Sequence, residues 1–233
     1  MSEPTWPQKK QETVLELFNL ALTERPDDIF IDMVGDTRTF RQVEHEANGL
    51  AHGLQARGVK TGDTVCGLTD TSMDSLVIWF AVNKLGAIWV PINSALKGEF
   101  LRHQIEDCGA KLMVADSRYV ERVQLIAERL KTLEVLYVRG DTPAGGAGAL
   151  KVSSFETLRN RRTDTPEAEP VKPRDLSLII YTSGTTGRRK DAASATITSA
   201  TMRASNPGRP GGSRAIVCGS RFRCFTWVAW APA

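Results

Sequence analysis

The segment Tyr181-Thr-Ser-Gly-Thr-Thr-Gly-Arg-Arg-Lys190 concentrates groups that can hold an anion. It carries four hydroxyls (Thr182, Ser183, Thr185, Thr186), two glycines (Gly184, Gly187) and a terminal Lys190. Glycine lets backbone N–H groups turn toward an anion with no Cβ in the way. Hydroxyls add donors to phosphate oxygens, and Lys190 supplies a full positive charge. On chemistry alone this is a phosphate cradle, and the competing reading is a flexible surface loop rich in small polar residues. It is not a Walker A loop, because Arg189 stands where that motif needs its second glycine after Gly184. Nor is it a GxGxxG turn. Arg188 and Arg189 either reinforce the anion site or form a solvated basic turn.

Other chemistry-bearing residues are sparse. Cys66, Cys108, Cys218 and Cys224 form no CxxC pair, and no histidine stands at metal-ligand spacing from them. No metal site and no disulfide is expected; Cys66 and Cys108 read as small buried hydrophobes. His45, His52 and His103 fall on predicted helices without a Ser/Asp or Cys/Asp partner, and read as surface or core residues. Arg102, Arg122 and Arg129 read as solvated helix faces. Asp70 and Asp74 are expected to cap the helix starting near Met73, and Asp116-Ser117 the one after it.

The elements that must position the loop follow from periodicity. Val14, Leu17, Phe18, Ala21 and Leu22 keep helical spacing up to Pro26. Residues 29–34 alternate before Gly35-Asp36, predicting a strand, a turn and a second strand through Thr37–Phe40. A helix over about 41–57 carries Val43, Ala47, Leu50, Ala51 and Leu54 on one face, with Gly58 at its C-terminal cap. Further strands are predicted at Thr64–Leu68, Ala87–Pro91, Lys111–Ala115, Val135–Val138 and Leu178–Tyr181. Helices are predicted at Met73–Leu85, Gly98–Cys108, Arg118–Leu130 and near Phe155–Asn160. Alternating strands and helices with short links imply an α/β fold built from layered sheet and helices around largely parallel strands. Pro143-Ala-Gly-Gly-Ala-Gly reads as a flexible loop, and residues 163–175, with three prolines, as an exposed connection.

Residues 191–233 differ in kind. They contain no Leu, Glu, Lys or Gln, and no helical or strand period is sustained. The expected organisation is a flexible N-terminus (1–12), a partial domain ending in the phosphate loop (13–190), and an atypical tail (191–233), disordered or from a shifted frame. The tail holds five arginines and one acid, so it contributes +4 of a net +3 and leaves −1 for the rest. That balance argues against nucleic acid as a partner. The chain has 233 residues, 41% hydrophobic and 24% charged, in the range of soluble globular proteins. No run approaches the roughly 20 apolar residues that span a bilayer, and no secretory signal is seen, so a cytoplasmic location is expected.

Thr182-Ser-Gly-Thr-Thr-Gly-x-x-Lys190 resembles the signature loop of the adenylate-forming (AMP-binding) superfamily of acyl-CoA synthetases, luciferases and peptide-synthetase adenylation domains. Arg189 stands where that loop has Pro or a small residue, and Asp191 where it has Gly. Thr39-Phe40-Arg-Gln-Val-Glu with Ala47-Asn48-Gly-Leu-Ala resembles the family's early strand-then-helix segment. Gly58-Val-Lys-Thr-Gly-Asp63-Thr-Val is similar to its turn into a strand, and Leu85-Gly-Ala-Ile-Trp-Val-Pro91-Ile-Asn93 to its central helix-to-strand step. Four segments agreeing in order, from about residue 12 to Lys190, identify an acid–CoA ligase resemblance, and Val90-Pro-Ile-Asn-Ser-Ala-Leu most resembles ligases of carnitine-like or other acyl substrates, as in fatty acid metabolism.

The resemblance implies ATP and Mg²⁺ converting a carboxylic acid to an acyl-adenylate, followed by transfer to coenzyme A. Thr182, Ser183, Gly184, Thr185, Thr186, Gly187 and Lys190 would hold the β- and γ-phosphates. The family's ribose-binding aspartate, acyl pocket and mobile-domain lysine lie further along its chains, so this chain is expected to be truncated and inactive as it stands. A non-catalytic remnant with weak nucleotide binding is the alternative, and an interaction module with an arginine-bearing tail the third reading.

Overall fold

A computed structural model of the protein describes residues 13–142, 150–182 and 193–196. The flexible N-terminus and the glycine-rich loop expected at 143–148 lie outside the described residues, as does most of the tail.

Helix α1 (Val14–Glu24) and the hairpin β1 (Ile29–Met33) and β2 (Asp36–Thr39) come first. Val34 and Gly35 form the hairpin turn, both with positive φ (56° and 87°), the geometry that matches strand twist. Thr39 ends β2 and caps α2 (Phe40–Ala56). Its hydroxyl accepts from the Gln42 N–H at 3.2 Å, while Gln42 Oε1 accepts from the Thr39 N–H at 2.9 Å. Replacing Thr39 with Ala is expected to cost about 1 kcal/mol, read as a lower urea midpoint at unchanged slope. A variant as stable as the parent would show that packing of Phe40 and Val43 alone fixes this helix start.

The next elements are β3 (Thr64–Leu68), α3 (Met73–Lys84), β4 (Ile88–Pro91), α4 (Gly98–Asp107), β5 (Leu112–Asp116), α5 (Val120–Gln124), β6 (Val135–Arg139) and β7 (Lys151–Ser154). The five strands β3 to β7 form one parallel sheet in the order β4-β3-β5-β6-β7. Period-2 alternation splits its side chains between two cores. Val65, Val114 and Tyr137 face α1, α2 and α3, whereas Cys66, Met113, Leu136 and Val138 face α4 and α5. The result is a three-layer α/β/α arrangement. Phe18, Phe30, Phe40 and Phe80 close the first core, with the Phe18–Phe80 ring centroids 4.7 Å apart.

Several expectations are corrected. The helix expected over Arg118–Leu130 is broken into 3₁₀ turns on either side of α5. Val120, Val123 and Ile126 recur every three residues and are all buried, and three-residue turns bring that spacing to one face. Near 155–160 there is only a 3₁₀ turn, Phe155–Leu158. Strand β7 was missed because Lys-Val-Ser-Ser has no apolar alternation; it is a half-exposed edge. Ser72, rather than Asp70 or Asp74, caps α3, accepting from the Ser75 N–H at 3.3 Å. Asp116 makes no side-chain cap. Both aspartates Asp70 and Asp116 are drawn instead into a network with arginines, described below.

The connection at 163–175 is largely exposed, as expected, but residues 159–168, which include its start, are not loose. Asn48 Nδ2 donates to the Thr163 carbonyl at 2.7 Å, and Gln55 Nε2 to the Glu167 carbonyl at 2.7 Å. His52, buried, meets the Asp164 carbonyl at 2.9 Å. The segment is a strap laid along α2, and Gly49 and Gly53 are the residues that let it approach.

Two short strands follow. β8 (Ile179–Thr182) joins the sheet edge through one parallel bridge, Leu178 to Trp89, and pairs antiparallel with β9 (Ala193–Thr196). β9 lies in the tail, where no strand was expected; Ala-Ser-Ala-Thr alternates but has only alanine as its apolar residue, a weak strand former, and it pairs along β8.

Candidate functional site

In an open α/β sheet the strand order reverses between β3 and β5, and the crevice beyond their carboxyl ends is where a ligand is first sought. Here ion pairs cross the strand ends. Asp116 Oδ2 accepts from the Asp70 N–H at 2.8 Å, and Asp116 Oδ1 accepts from Arg139 Nε at 2.6 Å. Asp70 also accepts from the Tyr119 hydroxyl at 2.6 Å and pairs with Arg118. Asp74 holds Arg159 at 2.7 Å and Arg139 at 3.4 Å. The carboxylates that hydrogen-bond Arg139 and pair with its charge outweigh its burial and raise its pKa further, so it stays cationic. These charges tie strand ends together and leave Asp70, Asp74 and Asp116 each paired with an arginine.

The candidate site is therefore the phosphate-type motif, which begins at the end of β8. The elements upstream hold Ser177, just before that strand, and Tyr181 within it. Trp89 N–H donates to the Ser177 carbonyl at 3.1 Å, and Trp79 Nε1 to the Ser177 hydroxyl at 3.4 Å. The Tyr181 hydroxyl donates to Asp107 Oδ2 at 2.7 Å, at the C-terminal end of α4. Burial first, and then the adjoining carboxylate, push the Tyr181 phenol far above its ordinary range, so it remains a donor. Thr182 is the last residue of β8 and is registered with Ala193 of β9, so the two ends of the 183–192 connection are held side by side.

Of the residues expected to form the cradle, Thr182 is placed at the strand end. Ser183, Gly184, Thr185, Thr186, Gly187 and Lys190 lie outside the described residues, as do Arg188 and Arg189. The anchors Ser177, Tyr181 and Asp107 were not singled out from the sequence. An aromatic at the last position of a strand, directly before a run of small residues, was the available signal for Tyr181. His45 and His103 are exposed, and His52 serves the strap. Arg102 and Arg129 pair with Glu99, and Arg122 stacks 4.7 Å from the Tyr119 ring centroid. Among the described residues no helix is long and apolar enough to cross a membrane.

Residues 18–206 match the family model of the AMP-binding enzyme, a span that takes in the sheet, β8 and the whole motif. The chain belongs to the AMP-binding enzyme family. This AMP-binding chain is 28% identical over 191 residues to a 3-hydroxybenzoate–CoA/4-hydroxybenzoate–CoA ligase of Thauera aromatica, covering 82% of this chain and 36% of that one. It is 31% identical over 182 residues to gramicidin S synthase 2 of Brevibacillus brevis, covering 78% of this chain and 4% of that one. Its fold is similar to the anthranilate CoA ligase AuaEII, solved in complex with anthranoyl-AMP, with a TM-score of 0.66 and 28% identity over 80% of this chain and 35% of that one. The AMP-binding chain thus spans about a third of the length of the CoA ligases it matches. The α/β sheet and its helix layers are those of the N-terminal domain of adenylate-forming enzymes.

Proposed function

We propose that this chain carries the nucleotide-phosphate loop of an ATP-dependent acid–CoA ligase, with Thr182, Ser183, Gly184, Thr185, Thr186, Gly187 and Lys190 holding the β- and γ-phosphates. The observation that supports this most directly is the family match running through the whole motif. The anchoring of β8 to β4 and α4 adds a physical reason, since a loop that grips a polyanion needs fixed ends.

The chemical task is to bring two anions together, a carboxylate and the α-phosphate of ATP. Backbone N–H groups beside Gly184 and Gly187, the hydroxyls and the Lys190 ammonium would draw charge toward the leaving pyrophosphate and hold it in line. Mg²⁺ enters as the ATP complex, neutralising phosphate charge, and coenzyme A as the thiol that displaces AMP. Two of the relatives named above are CoA ligases of hydroxybenzoates and of anthranilate, so aromatic acids join fatty acids as candidate substrates.

A second reading is nucleotide binding without turnover, because residues 191–233 have a composition unlike the rest. Titration with ATP·Mg²⁺ by calorimetry is expected to show weak binding, and Lys190→Ala to lower it about 10- to 100-fold, the worth of one charge-assisted contact. Equal affinity in parent and variant would remove the loop from the site. Acid-dependent ATP–pyrophosphate exchange, run with benzoates, fatty acids and amino acids, is expected to be absent, and robust exchange with any of them would establish the first reading over the second.

A further inference from the structure

Among the described residues, β8 meets the five-stranded sheet through one parallel bridge, Leu178 to Trp89. That bridge stands three residues before Tyr181 (181 minus 178), roughly 10 Å along an extended chain. Beyond it β8 runs beside β9 of the tail. A side chain holds the far end of the strand. Ile179 and Tyr181 alternate onto the second core, and the Tyr181 hydroxyl donates to Asp107 Oδ2 at 2.7 Å. The ring supplies contact, and the hydroxyl supplies a fixed direction.

The receiving end is rigid. Asp107 is the last residue of α4, where the Cys108 N–H donates to the Gln104 carbonyl at 3.2 Å and the Gly109 N–H to the Glu106 carbonyl at 3.0 Å. The Thr64 hydroxyl donates to the Cys108 carbonyl at 2.7 Å, which ties this corner to β3, an inner strand of the sheet. A path of direct bonds therefore runs from β3 through Cys108 and Asp107 to Tyr181, one residue before Thr182.

We propose that Tyr181 and Asp107 are a positioning pair for the nucleotide: their hydrogen bond sets where the phosphate motif leaves the sheet, and so sets how tightly ATP·Mg²⁺ is held. This rests on the reading of the motif given above, and adds two residues that act through the loop rather than on the phosphates. The physical reason is ordering. A strand end free to swing presents the loop correctly only part of the time, and the apparent affinity falls by that fraction. Pinning it beforehand leaves less to be ordered when the anion arrives. The donor suits the task, because burial and the adjoining carboxylate hold the Tyr181 phenol far above its ordinary range. Asp107 also brings a negative charge close to the start of an anion-binding motif. Its charge alone would weaken phosphate binding, whereas its bond strengthens it, so removing Asp107 tells the two apart by sign.

The experiment titrates the native 233-residue chain and its variants with ATP·Mg²⁺ by calorimetry, and unfolds each in urea. Tyr181→Phe and Asp107→Ala are each expected to weaken binding about 3- to 10-fold, the worth of one hydrogen bond. The urea midpoint reports the two cores rather than the strand end, and is expected to stay at the parent's value. The double variant is expected to bind no more weakly than either single one, because each removes the same bond. Asp107→Asn keeps an acceptor oxygen without the charge, and is expected to bind at least as tightly as the parent. Lys190→Ala, run alongside, tests the loop itself: a parent that binds no ATP·Mg²⁺, or a Lys190→Ala variant equal to it, brings down the reading of the motif and this role together. Where Lys190→Ala does weaken binding, this role alone is overturned by any of four results. They are a Tyr181→Phe or Asp107→Ala variant that binds as tightly as the parent or more so, effects that add in the double variant, an Asp107→Asn variant as weak as Asp107→Ala, or affinity that falls only together with the urea midpoint.

Discussion

Replacing Lys84 with Met is expected to destabilise the domain by roughly 3–5 kcal/mol, the cost of leaving a buried carboxylate without its partner. Lys84 ends α3 and its ammonium lies 2.8–2.9 Å from both oxygens of Glu44 on α2. The side chains are only 4% and 12% exposed, so water cannot take over when the cation is removed. Glu44 also accepts from Asn48 Nδ2 at 3.0 Å, and Asn48 in turn holds the strap at Thr163. The loss should therefore spread from the α2–α3 interface to residues 159–168. Urea unfolding followed by tryptophan fluorescence reads the effect as a lowered midpoint at constant slope. The pair's desolvation cost offsets much of its attraction, so Lys84→Met combined with Glu44→Leu should recover most of the loss. A Lys84→Met variant within 1 kcal/mol of the parent would mean that solvent already reaches Glu44.

The second large effect is expected at Gly53. A Cβ built there would stand 1.7 Å from the Leu158 carbonyl oxygen and 2.6 Å from its carbon. The obstacle is backbone of the Phe155–Leu158 turn, which cannot rotate aside, so that turn and the strap it leads into must lift off α2. Gly53→Ala should cost about 3 kcal/mol, the upper end of overpacking penalties. This runs against helix propensity, by which Ala in a helix gains about 1 kcal/mol over Gly. The opposition of sign makes the test sharp: a stabilised Gly53→Ala protein would show that the strap does not lie on this face. Gly49, where a Cβ would meet the Asn160 carbonyl oxygen at 2.3 Å, should behave similarly. Detachment of the strap is also expected to expose residues 159–168 to limited proteolysis, with new cleavage at Arg159, Arg161 and Arg162.

Local signals carried well where each residue's environment depends on its neighbours in sequence. The α2 stripe of Val43, Ala47, Leu50, Ala51 and Leu54 is buried as its spacing requires, and Gly58 takes positive φ just past the helix end. Thr64–Leu68 was placed at its observed limits because a continuous apolar run fits a strand covered on both faces. Aspartates fared worse. Asp70, Asp74 and Asp116 have the composition of helix caps, and a cap is the usual local use of such a residue. Their partners Arg118, Arg139 and Arg159 come from other elements, and no spacing in the sequence announces that convergence.

What the sequence determined by itself was the alternation of strands and helices, the parallel sheet it implies, and the hydroxyl- and glycine-rich motif ending at Lys190. Each depends on periodicity or on a contiguous run of residue types, which a sequence displays directly. Only the tertiary structure decided that ion pairs cross the switch-point crevice, that the Phe155–Leu158 turn and the connection after it lie along α2 over Gly53 and Gly49, and that Tyr181 is tied to Asp107. Those contacts join residues 23 to 115 positions apart, and their energies come from burial and geometry that exist only once the sheet has brought its helices together.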